Sequence, residues 1–188
     1  MTVDPESLFI RVFPDEALRA RAEAIEEITE NVRAVADRMI DLMIEAEGIG
    51  LAATQVGLPW RLFVAHVPEH PEEGRRLGGD PMTAQPEAEV YINPVLRDFA
   101  GEFEFFEEGC LSLPEIRGEV RRPTEVTIEA TNLDGARFEH RGAGLLARCW
   151  QHEHDHLDGV LIIDRMTPMA RLKNRTKIRD LEKQGAGA

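Results

Sequence analysis

Gln151-His152-Glu153-His154-Asp155-His156-Leu157-Asp158-Gly159 is the stretch on which both fold and chemistry turn. On a helix, His152 and His156 stand at i and i+4, so both imidazoles leave one face. Two such rings can grip one divalent ion from a single rigid element. Glu153 is rotated from His152 by about 100°. It sits beside the ion without binding it, as suits a general base for water that a catalytic metal activates. His154, rotated about 200° from His152, faces away and is not a ligand. Gly159 supplies the left-handed residue that ends the helix. Upstream, Leu145, Leu146, Cys149 and Trp150 are apolar at helical spacing, which predicts a helix over 144–156 anchored in a core before it presents its ligands.

Composition narrows what surrounds this helix. The 188 residues fit one domain, 1–188, with enough chain to bury a sizeable core. A formal net charge of −13 argues against broad binding to nucleic acid or anionic membrane. No apolar run is long enough to span a bilayer, and the acidic N-terminus lacks the apolar region of a secretory signal. Only Cys110 and Cys149 are present, which favours a reducing compartment and a metal-bound or catalytic thiol over a disulfide scaffold.

Phe9–Asp15 reads as a short extended piece ending in a turn. Thr29 caps a first helix whose core stripe is Val32, Val35, Met39, Leu42, Met43 and Ala46, with Gly48 as its stop. Gly48-Ile49-Gly50-Leu51-Ala52-Ala53-Thr54-Gln55 is small enough to let backbone approach something closely, but lacks the ending of a phosphate loop. Trp60–His66 reads as a strand with Leu62 and Val64 on one face and Phe63 and Ala65 on the other. Residues 68–86 hold four prolines, three glycines and no periodicity, which predicts a solvated, mobile loop. There Pro68 rules out a helical His66/His70 ligand pair. Glu89–Leu96 is a strand interrupted at Pro94. Phe103 and Phe105, alternating with Glu102, Glu104 and Glu107, suggest a half-buried strand with an acidic outer face. Val126, Ile128 and Ala130 form another strand, turned at Asp134-Gly135 and returned through Phe138, with His140 a hairpin residue. Thr167-Pro168 starts a C-terminal helix, and residues 184–188 form a frayed tail.

A catalytic divalent site takes three protein ligands and leaves a position for water. The extended helical-hydrolase motif would place a histidine at position 162, where this chain has Ile162. Asp158 and Asp164 are fallbacks. Cys110, in Glu108-Gly109-Cys110-Leu111-Ser112-Leu113-Pro114, is the better third ligand, since thiolate suits zinc or ferrous iron. Three readings stay open: a metal-assisted hydrolase with an open site of Cys110, His152 and His156, a metallopeptidase cutting internal bonds, and a binding module stapled by a closed site of Cys110, Cys149, His152 and His156.

The stretches GIGLAATQ, EGCLSLP and QHEHDHLDG, in this order, resemble the three signature motifs of the peptide deformylases, and the likeness runs from about Phe9 to the C-terminal helix. The resemblance implies an α+β fold: antiparallel β-sheets around a central helix carrying the metal motif, with an N-terminal and a C-terminal helix. It implies removal of the formyl group from the N-terminal formyl-methionine of new proteins, releasing formate. Cys110, His152 and His156 would hold the metal, ferrous iron foremost, with zinc, nickel or cobalt able to replace it. Glu153 would be the general base, and the Gln55 amide and the Leu111 backbone N–H the oxyanion donors. Ile49, Gly50, Gly109, Leu145 and Cys149 would line the substrate site, with Arg117 further along the peptide. The 68–86 loop exceeds the family's core pattern and would alter only the cleft rim. The partners implied are N-formyl-methionyl nascent chains in a bacterial-type cytoplasm. Arg171, Arg175 and Arg179 stripe the last helix beside Lys173 and Lys177, a basic face for docking on the ribosome.

Overall fold

The computed structural model describes residues 2–185. Its elements are α1 (Glu30–Glu45), β1 (Gly50–Ala52), β2 (Leu62–Ala65), β3 (Glu89–Gly109), β4 (Arg117–Thr131), β5 (Arg137–Ala143), α2 (Gly144–Leu157), α3 (Ile162–Arg165) and α4 (Pro168–Gly185). The strands form one antiparallel sheet in the order β1-β2-β3-β4-β5, rather than separate sheets. The expected α+β class holds, with α2 packed against β1, β2, β4 and β5.

Alternation in β2 sorts the core as its period of two requires. Leu62 and Val64 join the α1 stripe of Val32, Val35, Met39, Leu42 and Met43. Phe63 and Ala65 face the other way, onto Tyr91, Leu146 and Trp150 below α2. A third cluster joins Leu113 and Ile116 to α3 and to Ala170 and Ile178 of α4. Thr29 caps α1 as expected, its side chain accepting from Val32 N–H. The left-handed residue after α1 is Glu47, φ 54°, rather than Gly48.

Two strand readings are corrected. Pro94 does not break β3, because Asn93 takes φ 51° and the register shifts between Ile92 and Val95. This bulge absorbs the missing N–H, and the Asn93 side chain clamps both backbone groups of Ile25. The Phe103–Phe105 segment is not half-buried: β3 and β4 leave the body as a two-stranded ribbon, and Phe103 and Phe105 stay more than half exposed. The Arg121 guanidinium covers both rings in place of a core. The β4–β5 hairpin turns at Asn132–Ala136 as read, with Gly135 at φ 82°.

The 68–86 segment is tied down at its end. Met82 exchanges backbone hydrogen bonds with Arg141 and Ala143, and Gln85 N–H donates to the Val67 carbonyl while its Oε1 accepts from Val67 N–H. Helix α4 starts at Pro168, with the Thr167 hydroxyl accepting from Ala170 N–H. Gln184 and Gly185 still lie in that helix, whereas residues 186–188 of the expected tail lie outside the described residues.

Candidate active site

Helix α2 is buried nearly all round, including Arg148, Gln151, Glu153 and His156. It therefore presents chemistry to the interior, where burial must be matched by partners. The Thr54 hydroxyl donates to the His156 carbonyl and so ties the helix end to the Gly50–Val56 segment. After α2, Gly159 takes φ 73°, and a Cβ there would come within 2.5 Å of the Arg19 carbonyl oxygen. Only glycine fits that conformation and that approach together.

Cys110, at the end of β3, meets the helix. One ligand atom from each of Cys110, His152 and His156 lies within 4.8 Å of the others. Cys110 Sγ is 3.2 Å from His156 Nε2, which is 3.2 Å from His152 Nε2. One sulfur and two imidazole nitrogens make a donor set that suits zinc or ferrous iron. The second nitrogen of His152 is already spoken for: Nδ1 lies 3.1 Å from Glu108 Oε2, which leaves Nε2 turned to the cluster. These residues fit a divalent ion.

Cys149 is not part of the cluster. Its thiol donates to the Ile49 carbonyl at 3.3 Å, and burial, with Glu153 next, pushes its pKa well above the ordinary value. The closed site of two cysteines and two histidines is not formed. The other rejected ligands are placed as well. His154 Nε2 is 2.9 Å from Arg61, Asp158 pairs with Arg61, and Asp164 pairs with Arg19.

Glu153 lies beside the cluster with Oε2 buried and without a hydrogen-bond partner among the described residues. Burial, the largest influence, pushes its carboxyl up to about 7 against the opposing charges of His152 and Arg122. Gly50 explains how it fits, since a Cβ there would sit 2.3 Å from Glu153 Oε1. The small residue thus makes room for the carboxylate itself.

Gln55 has a fixed orientation. Its Oε1 accepts from Ala52 N–H at 2.8 Å, so Nε2 must face the site, 3.1 Å from Ser112 Oγ and 3.6 Å from Cys110 Sγ. The extended segment before Asp15 holds both neighbours, with Arg11 N–H on the Gln55 carbonyl and Phe13 N–H on that of Ser112. The Leu111 N–H takes no partner among the described residues.

Around these groups lies a cavity of about 340 Å³. Gln55, Cys110, Leu111, His152 and Glu153 line it, as do Ile49, Gly50, Gly109, Leu145, Cys149 and Arg117. His156 is not among its lining residues, and neither is any residue of the 68–86 loop.

Sequence reasoning assigned nothing to the charges behind His152. Arg122 grips Glu108 through Nε at 2.7 Å and Nη2 at 3.0 Å, and reaches Asp155 at 2.8 Å. Burial alone would raise the Glu108 carboxyl; hydrogen bonds from His152 and Arg122 outweigh it and hold it well below the usual range. The signal available was Glu108 inside its motif, but its partners come from β4 and α2.

This geometry coincides with a known family. Residues 8–172 match the family model described as polypeptide deformylase. The chain belongs to the polypeptide deformylase family. It is 42% identical over 172 residues to the peptide deformylase of Acinetobacter baumannii, covering 92% of this chain and 90% of that protein. The Thermotoga maritima peptide deformylase is 41% identical, with 92% of this chain and 94% of that protein covered. A solved structure of the Plasmodium falciparum peptide deformylase superposes with a TM-score of 0.83 at 33% identity, over 96% of this chain and 98% of that one. Deformylases are metal-dependent enzymes that remove the N-terminal formyl group of nascent proteins, and that activity is this chain's. No helix among the described residues is long and apolar enough to cross a membrane.

Proposed function

We propose that this deformylase works with Cys110, His152 and His156 as metal ligands, Glu153 as general base and acid, and Gln55 with Leu111 as oxyanion donors. The observation that carries the reading is the unpartnered, buried Glu153 carboxylate beside a cluster of one sulfur and two nitrogens, inside one cavity. Cys110, His152 and His156 would hold a divalent ion, ferrous iron foremost and zinc, nickel or cobalt as replacements, which would supply Lewis acidity to the site. Glu153 takes the proton from the attacking water and delivers it to the leaving amine, and its buried carboxylate, without a partner among the described residues, is free for both transfers. As the formyl carbon becomes tetrahedral, its oxygen gains charge, and the Gln55 Nε2–H and Leu111 N–H donate to it. Both are pre-set, one by Ala52 and the other by the turn after Cys110, so little reorganisation accompanies the reaction.

The methionine side chain is received by Ile49, Leu145 and Cys149, with the backbone at Gly50 and Gly109 beside the peptide and Arg117 further along it. The chain, 1–188, is read as one domain acting in a bacterial-type cytoplasm. The decisive assay measures formate released from a formyl-methionyl peptide against cleavage of a blocked internal peptide, with metal content on the same sample. Formate release with about one ion per chain is the expected result; internal cleavage without formate release overturns it.

Docking on the ribosome is the second part of this reading. Helix α4 buries only Ala170, Asn174 and Ile178 and leaves its arginines and lysines exposed. Arg171 and Lys177 donate to the carbonyls of Ile163 and Glu115, so Lys173, Arg175 and Arg179 are the cations turned to a partner. The expected result is salt-dependent co-sedimentation with ribosomes that R175E/R179E weakens while turnover of a short formyl peptide is kept. Equal binding by that variant at every salt concentration overturns the docking.

A further inference from the structure

Arg148 takes no part in the chemistry above, yet it is a charged side chain only 7% exposed in the second turn of the catalytic helix. A buried guanidinium needs its donors matched. Nη1 donates to Glu108 Oε1 at 2.8 Å and to the Val120 carbonyl at 3.1 Å, and Nη2 donates to the Glu104 carbonyl at 3.0 Å. Its carbon lies 5.3 Å from the centre of the Phe106 ring. One side chain therefore touches the Glu108 carboxylate behind His152, both strands of the ribbon and an aromatic wall.

Two consequences meet in it. Glu108 Oε2 faces His152 Nδ1, so whatever sets the tilt of this carboxylate sets the aim of the His152 ring. Arg122 already offsets the Glu108 charge through both oxygens, so Arg148 contributes position, not mere neutralisation. Phe106 and Arg148 also line the cavity next to Leu145 and Cys149, the pair assigned to the methionine side chain. Phe106 sits on a ribbon whose neighbours, Glu102 to Glu107, are exposed, so little else packs it in place.

We propose that Arg148 is a positioning residue that couples the side-chain pocket to the metal site. It aims His152 through Glu108, and it fixes Phe106 as a wall of the pocket. The inference rests on the deformylase mechanism above and adds a determinant of side-chain choice to it.

The test compares R148M, R148K and F106A with wild type, reading zinc affinity by chelator competition and the ranking of formyl-methionyl, formyl-norleucyl and formyl-phenylalanyl peptides by kcat/KM. R148M is expected to bind zinc about 10-fold or more weakly, the usual scale for a lost group behind a ligand, and to discriminate less among the three peptides. R148K keeps a donor for Glu108 and should recover most of the zinc affinity. F106A should relax the ranking while zinc binding stays as in wild type. Unchanged zinc affinity or an unchanged ranking in R148M overturns the proposal. So does zinc loss in F106A equal to that in R148M, which would mean the ribbon alone controls the site. Wild-type protein that releases no formate overturns the functional reading instead, and the zinc measurements still decide the Arg148–Glu108–His152 link.

Discussion

Helix α2 buries Arg148, Glu153 and His156, whereas α4 leaves Arg171, Lys173, Arg175, Lys177 and Arg179 on its surface. Both helices are rich in charge. They differ in what waits for the charge. Around α2 stand Glu108 from β3, Arg122 from β4, and Cys110 just after β3, each matching a donor or acceptor that burial would otherwise leave orphaned. Around α4 only a narrow stripe is covered, and Asn174 inside it donates to the Arg117 and Ala170 carbonyls. Charge on α2 is thus held in fixed geometry at a cost in desolvation, while charge on α4 remains at the hydrated surface.

The sharpest way to break this contrast is at the proposed metal ligands. Cys110→Ser should weaken metal binding by more than about 100-fold, beyond what loss of a supporting group costs. Cys149→Ala, one turn from His152 but directed at Ile49, should keep the metal and alter side-chain preference. Metal analysis after gel filtration reads both, and equal metal loss would contradict the separation of the two cysteines.

The meeting of His152 and His156 was legible from their spacing, because i, i+4 histidines on a helix meet whatever the tertiary fold. That Cys110 joins them was legible from the chemistry of its motif. The network behind them was not, because Arg122, Arg148 and Glu108 are far apart in sequence and their side chains meet only when β3, β4 and α2 pack. A charged residue in a helix stripe reads as a solvated face until its partners are known. The ribbon failed for the converse reason. Phe103 and Phe105 alternate as core residues do, but the strand that carries them has left the body. Pro94 read as an interruption because a bulge at Asn93 has no clear pattern of its own.

Stability gives the next largest contrast. Arg122→Met removes one buried partner from both Glu108 and Asp155, leaving Glu108 to Arg148 and His152 and Asp155 to Arg165, and removing one partner of a buried pair costs up to about 3–5 kcal/mol. Arg175→Ala on α4 should change stability by less than about 0.5 kcal/mol. Urea unfolding of the two variants side by side decides it, and equal losses would mean that the burial of charge on α2 carries no energetic weight.

The smallest effect lies between the two helices, at Asp164 of α3. Burial raises its carboxyl, but the Arg19 guanidinium and the Leu161 N–H lower it further, so the folded pKa is depressed. A depressed carboxyl contributes stability above its unfolded pKa and loses it as pH falls through the folded value. Wild type should therefore melt slightly above Asp164→Asn at neutral pH, with the gap closing on acidification. A gap that does not vary with pH would show that the pair adds nothing through charge.

The central claim is that α2 divides its buried polar groups between holding the metal and moving the proton. Glu153→Ala tests it most directly, with metal content and formate release measured on one preparation. The account predicts about one ion per chain and turnover reduced by ~10²–10⁴-fold, the usual worth of general acid–base catalysis. A variant that loses its metal, or one that keeps both metal and turnover, would contradict it.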